Sequence, residues 1–481
     1  MSNQLTKADG IRKRLENSNS LTAALLNGGP AVWLSCLVMG FGNIVAGQFI
    51  KGLMFFAIEV GFFYIMGTPI FVDAPSMTPH TGIEWIQLLP SLGDRVDGEI
   101  WNEDDFIYET VFGDRSQQIL LYGVVFICIC LAFIVIWRAS VRSGYEAISN
   151  RRAGKKVLSF WGDIKALFDE KIHKLLMILP FMALIVFTVV PLVYMICMAF
   201  TNYSYSDSVP STLNHFDWVG FDTFKQLFAS GSALAEQFWS VLAWTLTWAF
   251  FATFLNFFLG TFVAIIINRP TTKLKGLWRT IMSITIAVPQ FVSLLIIAKM
   301  FSDEGIIDKM LYNYGFVDES VRFMSKPVNA KVFVILINLW VGIPYTIMQV
   351  TGILKNIPAD LYEAARIDGA NAVQQFMNIT LPYMIFVLTP YIITSFTGNI
   401  NNFNVIFLLT GGGPPNMEVV SSAPAGHTDL LVTWLYNLSM QAQPKYNIAA
   451  VIGIFTFIVL AVLSLVTYRS SGSYKDEEGF K

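Results

Sequence analysis

Long apolar runs separated by short polar connections dominate the hydrophobic pattern of this chain. Runs near residues 52–70, 119–136, 175–200, 237–267, 280–301, 331–353, 383–410 and 446–468 each reach the roughly 17–25 residues that a helix needs to cross a bilayer. None is interrupted by the alternation of a half-buried strand, so the pattern predicts an all-α polytopic membrane protein with eight spans. Residues 31–50 are also apolar, but Gly40, Gly42, Asn43, Gly47 and Gln48 make them weak as a lipid-facing helix. They are read as an interfacial or re-entrant segment ahead of the first span. A two-span hairpin with the N-terminus outside is the alternative. Glu59 sits inside that first span, where a carboxylate is costly unless buried or protonated; it either marks function or packs against a neighbouring helix.

Charge orients the spans. Residues 72–117 hold ten acidic side chains against Arg95 and Arg115, whereas residues 138–174 hold nine basic ones against four acidic. By the positive-inside rule the first loop is external and the second cytoplasmic. The connection 268–279 carries four basic residues and no acid, which places it inside. Two spans further on, the polar segment 357–382 is inside as well. Lys7, Arg12, Lys13 and Arg14 precede the first apolar run, which starts too late for a signal peptide, and the tail after Arg469 is short and polar. Both termini are therefore expected in the cytoplasm.

Composition narrows the function classes. Apolar residues make up 54% of the 481 positions and charged ones 14%, which is the balance of a membrane protein. A net charge of −2 offers nothing to nucleic acid. Cys36, Cys128, Cys130 and Cys197 all lie in apolar runs, where they act as small hydrophobes, and the four histidines are too scattered for a metal site. With no phosphate-binding loop of the GxxxxGK[ST] type and no paired catalytic constellation, the chain is not expected to be an enzyme, to hydrolyse ATP or to hold a cofactor. An ion-coupled secondary transporter would need ionisable groups at the midplane. Apart from Glu59 and Lys299 the spans have almost none.

The polar island Ile357 to Pro382 reads as a short helix, a turn and a second helix. Pro358 suits a first helical position, Asp360 and Glu363 meet the positive end of the helix dipole, and Asp368-Gly369 offers a residue for positive φ. Asn371 can cap the second helix, and Pro382 is expected to limit it. Leu361, Ala364 and Ala365 form a narrow face that a partner could approach closely. Glu363-Ala364-Ala365, with Asp368-Gly369 after it and Ile379-x-Leu381-Pro382 beyond, resembles the EAA loop of the membrane subunits of bacterial ABC importers. That resemblance implies that Glu363, Ala364, Ala365, Asp368, Gly369, Leu381 and Pro382 belong to a coupling helix that docks in a cleft of the ATPase subunit.

Beyond about residue 174 the chain resembles one group of that family, the larger membrane subunit of maltose and maltodextrin importers. The matching stretches are Ala199-Phe-Thr-Asn-Tyr203, Val288-Pro289, Asn338-Leu-Trp-Val-Gly-Ile-Pro-Tyr345, Asn401-Asn402-Phe403, Gly412-Gly413-Pro414 and Ala423-Pro-Ala-Gly-His-Thr-Asp-Leu-Leu-Val432. The resemblance implies a six-helix type I importer core at 174–470, with the coupling loop at 355–382. Ahead of it lies an extension, 1–173, with two extra spans, and behind it a cytoplasmic tail, 471–481. It also implies partners: a second permease subunit, two ATP-binding cassette ATPase subunits, an extracellular sugar-binding protein and a maltose or maltodextrin substrate. The large external domain of some family members is missing, since the connection 201–236 is short, and the loop 72–117 becomes a candidate helper in meeting the binding protein.

The expected sugar site lies where Gly342 and Tyr345 on one span meet Ser395, Asn399 and Asn402 on the next. Amide and hydroxyl groups, an aromatic surface and a small residue are what a sugar requires, and the spacing places Ser395, Asn399 and Asn402 on one helical face. Taken by themselves, such residues can equally bond neighbouring helices at about 0.6 kcal/mol each. The resemblance assigns them to the sugar, with Gly398 where the family can carry an aromatic residue.

Overall fold

A computed structural model of the chain describes residues 21–69, 71–73, 78–94, 98–102, 107–111, 113, 115–154, 157, 159–169, 172–204, 215–269, 271–419 and 421–470. The basic N-terminal stretch 1–20, part of the connection 201–236 and the tail 471–481 lie wholly or partly outside these residues. Two compact units part between Trp218 and Val219.

In the first unit, helices α1 (Leu21–Asn27), α2 (Pro30–Leu37) and α3 (Phe41–Val45) precede α4 (Phe49–Gly67), which is long enough to span. At 1.5 Å per residue, the eight residues of α2 and the five of α3 are each too short to cross, so 31–50 holds no helix long enough to pair with α4 as a two-span hairpin. Gly40, at φ 81°, makes the turn between them. Its N–H donates to Ser140 Oγ at 3.0 Å, and the neighbouring Met39 N–H donates to Glu59 Oε2 at 2.8 Å. The buried carboxylate of Glu59 thus satisfies a turn that the short helices leave open.

The acidic loop that follows contains two antiparallel hairpins, β1 (Phe71–Asp73) with β2 (Thr78–His80) and β3 (Gly98–Asn102) with β4 (Ile107–Val111). Between them lies helix α5 (Gly82–Gln87), capped reciprocally by Thr81 and Glu84. Helix α6 (Ser116–Arg152) is the long element of this unit. Ala23, Ala24 and Val32 pack against its Val141, Tyr145 and Ile148. Its last turn supplies Arg151, which donates to Val45 O at 2.6 Å, and Arg152, which donates to Asn27 O and Gly28 O at 3.4 and 3.3 Å. These guanidinium groups close the C-terminal ends of α3 and α1, where carbonyls lack intrahelical partners. After α7 (Phe160–Phe168), the next span is built from α8 (Ile172–Leu184), a π turn at Ile185–Val189 and α9 (Val190–Ala199). The chain beyond it returns to the acidic loop: the Phe216 N–H donates to Ser116 Oγ at 3.0 Å and the Trp218 indole to Leu89 O at 2.7 Å.

The second unit opens with α10 (Asp222–Phe228) and continues as α11 (Ala233–Asn268), α12 (Lys275–Ala287), α13 (Gln290–Met300), α14 (Ile306–Asn313) and α15 (Pro327–Leu354). It then runs through α16 (Ala359–Ile367), α17 (Ala372–Gln375), a π turn at Phe376–Thr380, α18 (Leu381–Ile400), α19 (Phe403–Leu409), α20 (Leu431–Met440) and α21 (Tyr446–Ser470). The straight span expected at 280–301 is instead α12 and α13, bent by 87°. Val288 is extended there, at φ −79° and ψ 128°, because Pro289 disfavours the helical region for the residue before it and brings no N–H of its own. The run 383–410 also divides, since α18 ends at Ile400 and Asn402 begins α19.

Small residues bring α11 and α15 together. A Cβ on Gly260 would sit 2.6 Å from Thr346 Cβ, and one on Gly342 would sit 2.3 Å from Asn256 Nδ2. Such close approach is how membrane helices gain packing without a hydrophobic driving force. Trp248, Leu294, Val334, Val405 and Ile406 form the core on one side of this pair, and Phe257, Ile347, Met384 and Leu388 on the other. Among the described residues, seven helices are long and apolar enough to cross a membrane, or eight when the bent pair counts as one span. The chain is a multi-pass membrane protein.

Candidate functional site

Two features of the second unit are candidate functional sites. The first is the polar island. Pro358 proves to be the residue before α16 rather than its first, and Asp360 stands in the opening turn. Gly369 ends the helix at φ 79°, with Ala370 N–H returning to Ala365 O at 2.8 Å. Asn371 then makes the expected cap: its Oδ1 accepts from Val373 N and Gln374 N at 3.0 and 2.9 Å, while Gln374 Oε1 accepts from Asn371 N at 2.8 Å. Tyr362 OH meets Thr380 Oγ1 at 2.8 Å and ties α16 to the start of the following span.

Pro382 does not stop the second helix. The chain is helical from Ala372 to Ile400 because the π turn at Phe376–Thr380 widens the backbone immediately before the proline, where a regular turn would set its ring against the carbonyl of Asn378. Leu381 and Pro382 therefore open α18. Glu363, Ala364 and Asp368 are exposed and Ala365 is half-buried. The apolar exposure is wider than the Leu361–Ala364–Ala365 face: Ile367 is 86% exposed and Val373 69%. Among the described residues these side chains are left uncovered, and they form an apolar surface beside Glu363 and Asp368.

The second feature is a cavity of about 280 Å³ within the second unit. Gly342, Tyr345, Ser395, Asn399 and Asn402 all line it. The reason for their proximity differs from the one the spacing suggested. Asn402 is beyond the end of α18 and is the N-cap of α19, its Oδ1 accepting from Val405 N at 3.3 Å. It reaches the others through a bond from its Nδ2 to Asn399 Oδ1 at 3.2 Å, and Asn399 Nδ2 donates in turn to Thr253 Oγ1 at 3.0 Å. The Trp248 indole, donating to Asn399 O at 3.0 Å, holds the last turn of α18 against α11.

The cavity also recruits Thr253 and Asn256 from α11, Gln290 at the bend before α13, Asn338 from α15, and Tyr391 and Gly398 from α18. Reading the sequence missed Asn256, Gln290 and Asn338 as site residues. The available signal was Asn256, the one carboxamide between Gln237 and Asn268, and Gln290 directly after Pro289. Buried Asn256 Oδ1 and Asn338 Nδ2 have no hydrogen-bond partner among the described residues, one an acceptor and the other a donor. Among the described lining residues there is no Asp, Glu, Lys, Arg or His, so the cavity offers hydrogen bonds and the faces of Tyr345 and Tyr391 without formal charge. A Cβ added at Gly398 would meet nothing within 4 Å, which leaves that wall open.

A third cluster lies outside the spans. Asp429 is buried and accepts from Gly426 N, Thr433 Oγ1 and Asn437 Nδ2 at 2.8, 2.8 and 3.2 Å, which fastens the loop after α19 to α20. Burial pushes its carboxyl up to about 6, outweighing the three donors that favour the ion. No group of three or more metal-ligating side chains exists among the described residues.

Residues 256–471 match the family described as the binding-protein-dependent transport system inner membrane component. Over 446 residues the chain is 31% identical to the galactooligosaccharides transport system permease protein GanP of Bacillus subtilis (strain 168), covering 92% of this chain and 98% of the relative. The chain belongs to this transport-permease family. It is also 31% identical over 452 residues to the maltodextrin transport system permease protein MdxF of the same organism, with 92% and 96% covered. Identity reaches 37% over 253 residues with the maltose/maltodextrin permease MalF of Vibrio vulnificus (strain YJ016), over 52% of this chain and 48% of that one. The fold agrees with a solved bacterial alginate ABC transporter in complex with an alginate pentasaccharide-bound periplasmic protein, at a TM-score of 0.51 and 22% identity, covering 66% of this chain and 98% of that one. As a permease of this family the chain is a transport subunit and not an enzyme, and the two features described above are its polar loop between spans and its polar interior.

Proposed function

We propose that this permease forms half of the translocation pathway of an ATP-driven importer for neutral oligosaccharides of the maltodextrin type. The second half is another permease subunit, two ATPase subunits supply the energy, and an external sugar-binding protein delivers the substrate. The six-helix core corresponds to residues 174–470, with both termini in the cytoplasm. The observation that carries the reading is the cavity: carboxamides from four helices, two tyrosines and no formal charge suit hydroxyl groups and the apolar face of a sugar ring. Tyr345 would meet the ring, Gly342 would keep that wall free of a side chain, and Ser395, Asn399 and Asn402 would meet the hydroxyls. Glu363, Ala364, Ala365, Asp368, Gly369, Leu381 and Pro382 would transmit ATPase movement through α16.

The exposed apolar surface of Ile367 and Val373 beside this loop supports that role, because nothing among the described residues covers it. A second reading, galactooligosaccharides, is favoured by GanP, whose similarity spans 92% of the chain. The test is uptake by the intact importer in proteoliposomes, with maltose, maltotriose and maltotetraose set against galactobiose and galactotriose. ATP-dependent uptake of the glucose series is expected. Uptake restricted to the galactose series would select the second reading, and uptake driven by an ion gradient without ATPase subunits would reject both.

A further inference from the structure

We propose that Asn256 is a specificity-determining residue of the cavity, presenting its Oδ1 to a hydroxyl of a neutral sugar while Gly342 leaves that amide its place. The inference rests on the reading of the cavity as the sugar pathway.

Asn256 stands on α11, is 8% exposed and lines the cavity. Its orientation follows from chemistry. The Ala252 carbonyl lies 2.6 Å from one terminal atom of the amide, and a carbonyl can only accept, so that atom is the NH₂. The other terminal atom is therefore the oxygen, and it has no donor among the described residues. A buried acceptor left unpaired is costly, and the deficit is removed when a donor enters the cavity. Asn399 and Asn402 are in a different condition. Each has its amide committed to a neighbour, to Thr253 in one case and to Asn399 in the other, and Asn402 Oδ1 also caps α19.

Gly342 completes the arrangement. A Cβ there would lie 2.3, 2.4 and 2.6 Å from Asn256 Nδ2, Cγ and Oδ1, so any side chain would displace the amide. The glycine that the sequence suggested as a point of close approach for the sugar is, in the fold, the space that Asn256 occupies. With an unpaired buried acceptor on a residue that lines the cavity and no cation among the described lining residues, the wall selects a hydroxyl donor over a carboxylated sugar, whose oxygens would face another acceptor.

The decisive measurement is maltotriose uptake by the intact importer in proteoliposomes, with KM and kcat separated and assembly verified by size exclusion. Asn256→Leu removes both polar atoms at similar volume, and Asn256→Ala removes them without added bulk should the leucine disturb the contact with Gly342. Either is expected to raise KM about tenfold, equivalent to about 1.4 kcal/mol, with a smaller change in kcat. Gly342→Ala is expected to match that loss, and the Gly342→Ala/Asn256→Ala double variant to be no worse than either single. An unchanged KM in both Asn256 variants, alongside reduced uptake in Asn399→Ala, would make Asn256 a packing residue and overturn the proposal alone. If Asn256, Asn399 and Tyr345 could all be replaced by alanine without effect on maltotriose or galactotriose uptake, the sugar-pathway reading would itself be lost.

Discussion

Gly369 isolates the conformational demand of the turn proposed to couple transport to ATPase movement. Its φ of 79° lies in the left-handed region, and a Cβ built on it would meet nothing within 4 Å. Substitution therefore creates no clash with a neighbouring group, and the effect is confined to the backbone. Left-handed geometry costs an L-residue roughly 1–2 kcal/mol, less for Asn, whose short polar side chain tolerates it, and most for a β-branched residue. The expected order is Gly369, then Gly369→Asn, Gly369→Ala and Gly369→Val. A penalty of about 1 kcal/mol lowers the population of the native turn relative to its alternatives by about fivefold, and about 2 kcal/mol lowers it by about thirtyfold. The turn sets the angle between α16 and the capped segment that begins at Asn371, so substrate-stimulated ATPase activity of the assembled importer should fall in the same order, with membrane insertion and subunit content preserved. Activity in Gly369→Val equal to that of the parent would refute the argument. So would a loss in Gly369→Asn as large as that in Gly369→Val, because it would show that the presence of any side chain, and not the positive φ, is what matters.

Asn399→Ala and Asn402→Ala should each weaken sugar transport by about 1–3 kcal/mol, measured as kcat/KM for uptake, and a double variant with normal uptake at normal expression would remove both from the site. Asp429 should make the protein more stable in mild acid. Its folded pKa of about 6 stands above the ordinary 3.8, so the native state holds the proton more tightly, and this contribution is fully present below 3.8 and is lost as pH rises through about 6. Thermal unfolding of the purified chain at pH 5 and pH 7.5 should show that difference, and Asp429→Asn should abolish it; an identical pH response in the variant would assign the effect elsewhere. Cysteines introduced at Ser91 and Ser149 should react with an impermeant maleimide from opposite faces of the membrane, Ser91 from outside, and labelling of both from one face would discard the proposed orientation.

Features that depend only on neighbours along the chain are legible in the sequence itself. Span length follows from runs of apolar residues, and the sign of loop charge varies along the chain in a way that needs no tertiary contact to read. The Asn371 cap and the positive φ at Gly369 are equally visible, because each is a local backbone requirement met by one residue type. The seven residues expected in a coupling loop and the five expected at the sugar site are likewise read from short motifs and a family resemblance, and the latter five do share one cavity.

What the tertiary structure decided is which polar atoms remain free there. Asn402 has the spacing of a residue on the Asn399 face, yet the helix stops at Ile400 and Asn402 caps the next one. Whether an amide is available to a ligand depends on partners 3 or 146 positions away, as the bonds of the Asn399 side chain to Asn402 and Thr253 illustrate. Asn256 and Gly342 are 86 positions apart in the chain, and neither spacing nor composition brings them together. Their contact exists because α11 and α15 cross where glycine removes a side chain. The bend at Val288-Pro289 and the continuation of helix through Pro382 divide on the same ground. Both sites hold a proline that withholds a backbone donor, and the surrounding packing determines whether the chain breaks there or widens by one π turn and goes on.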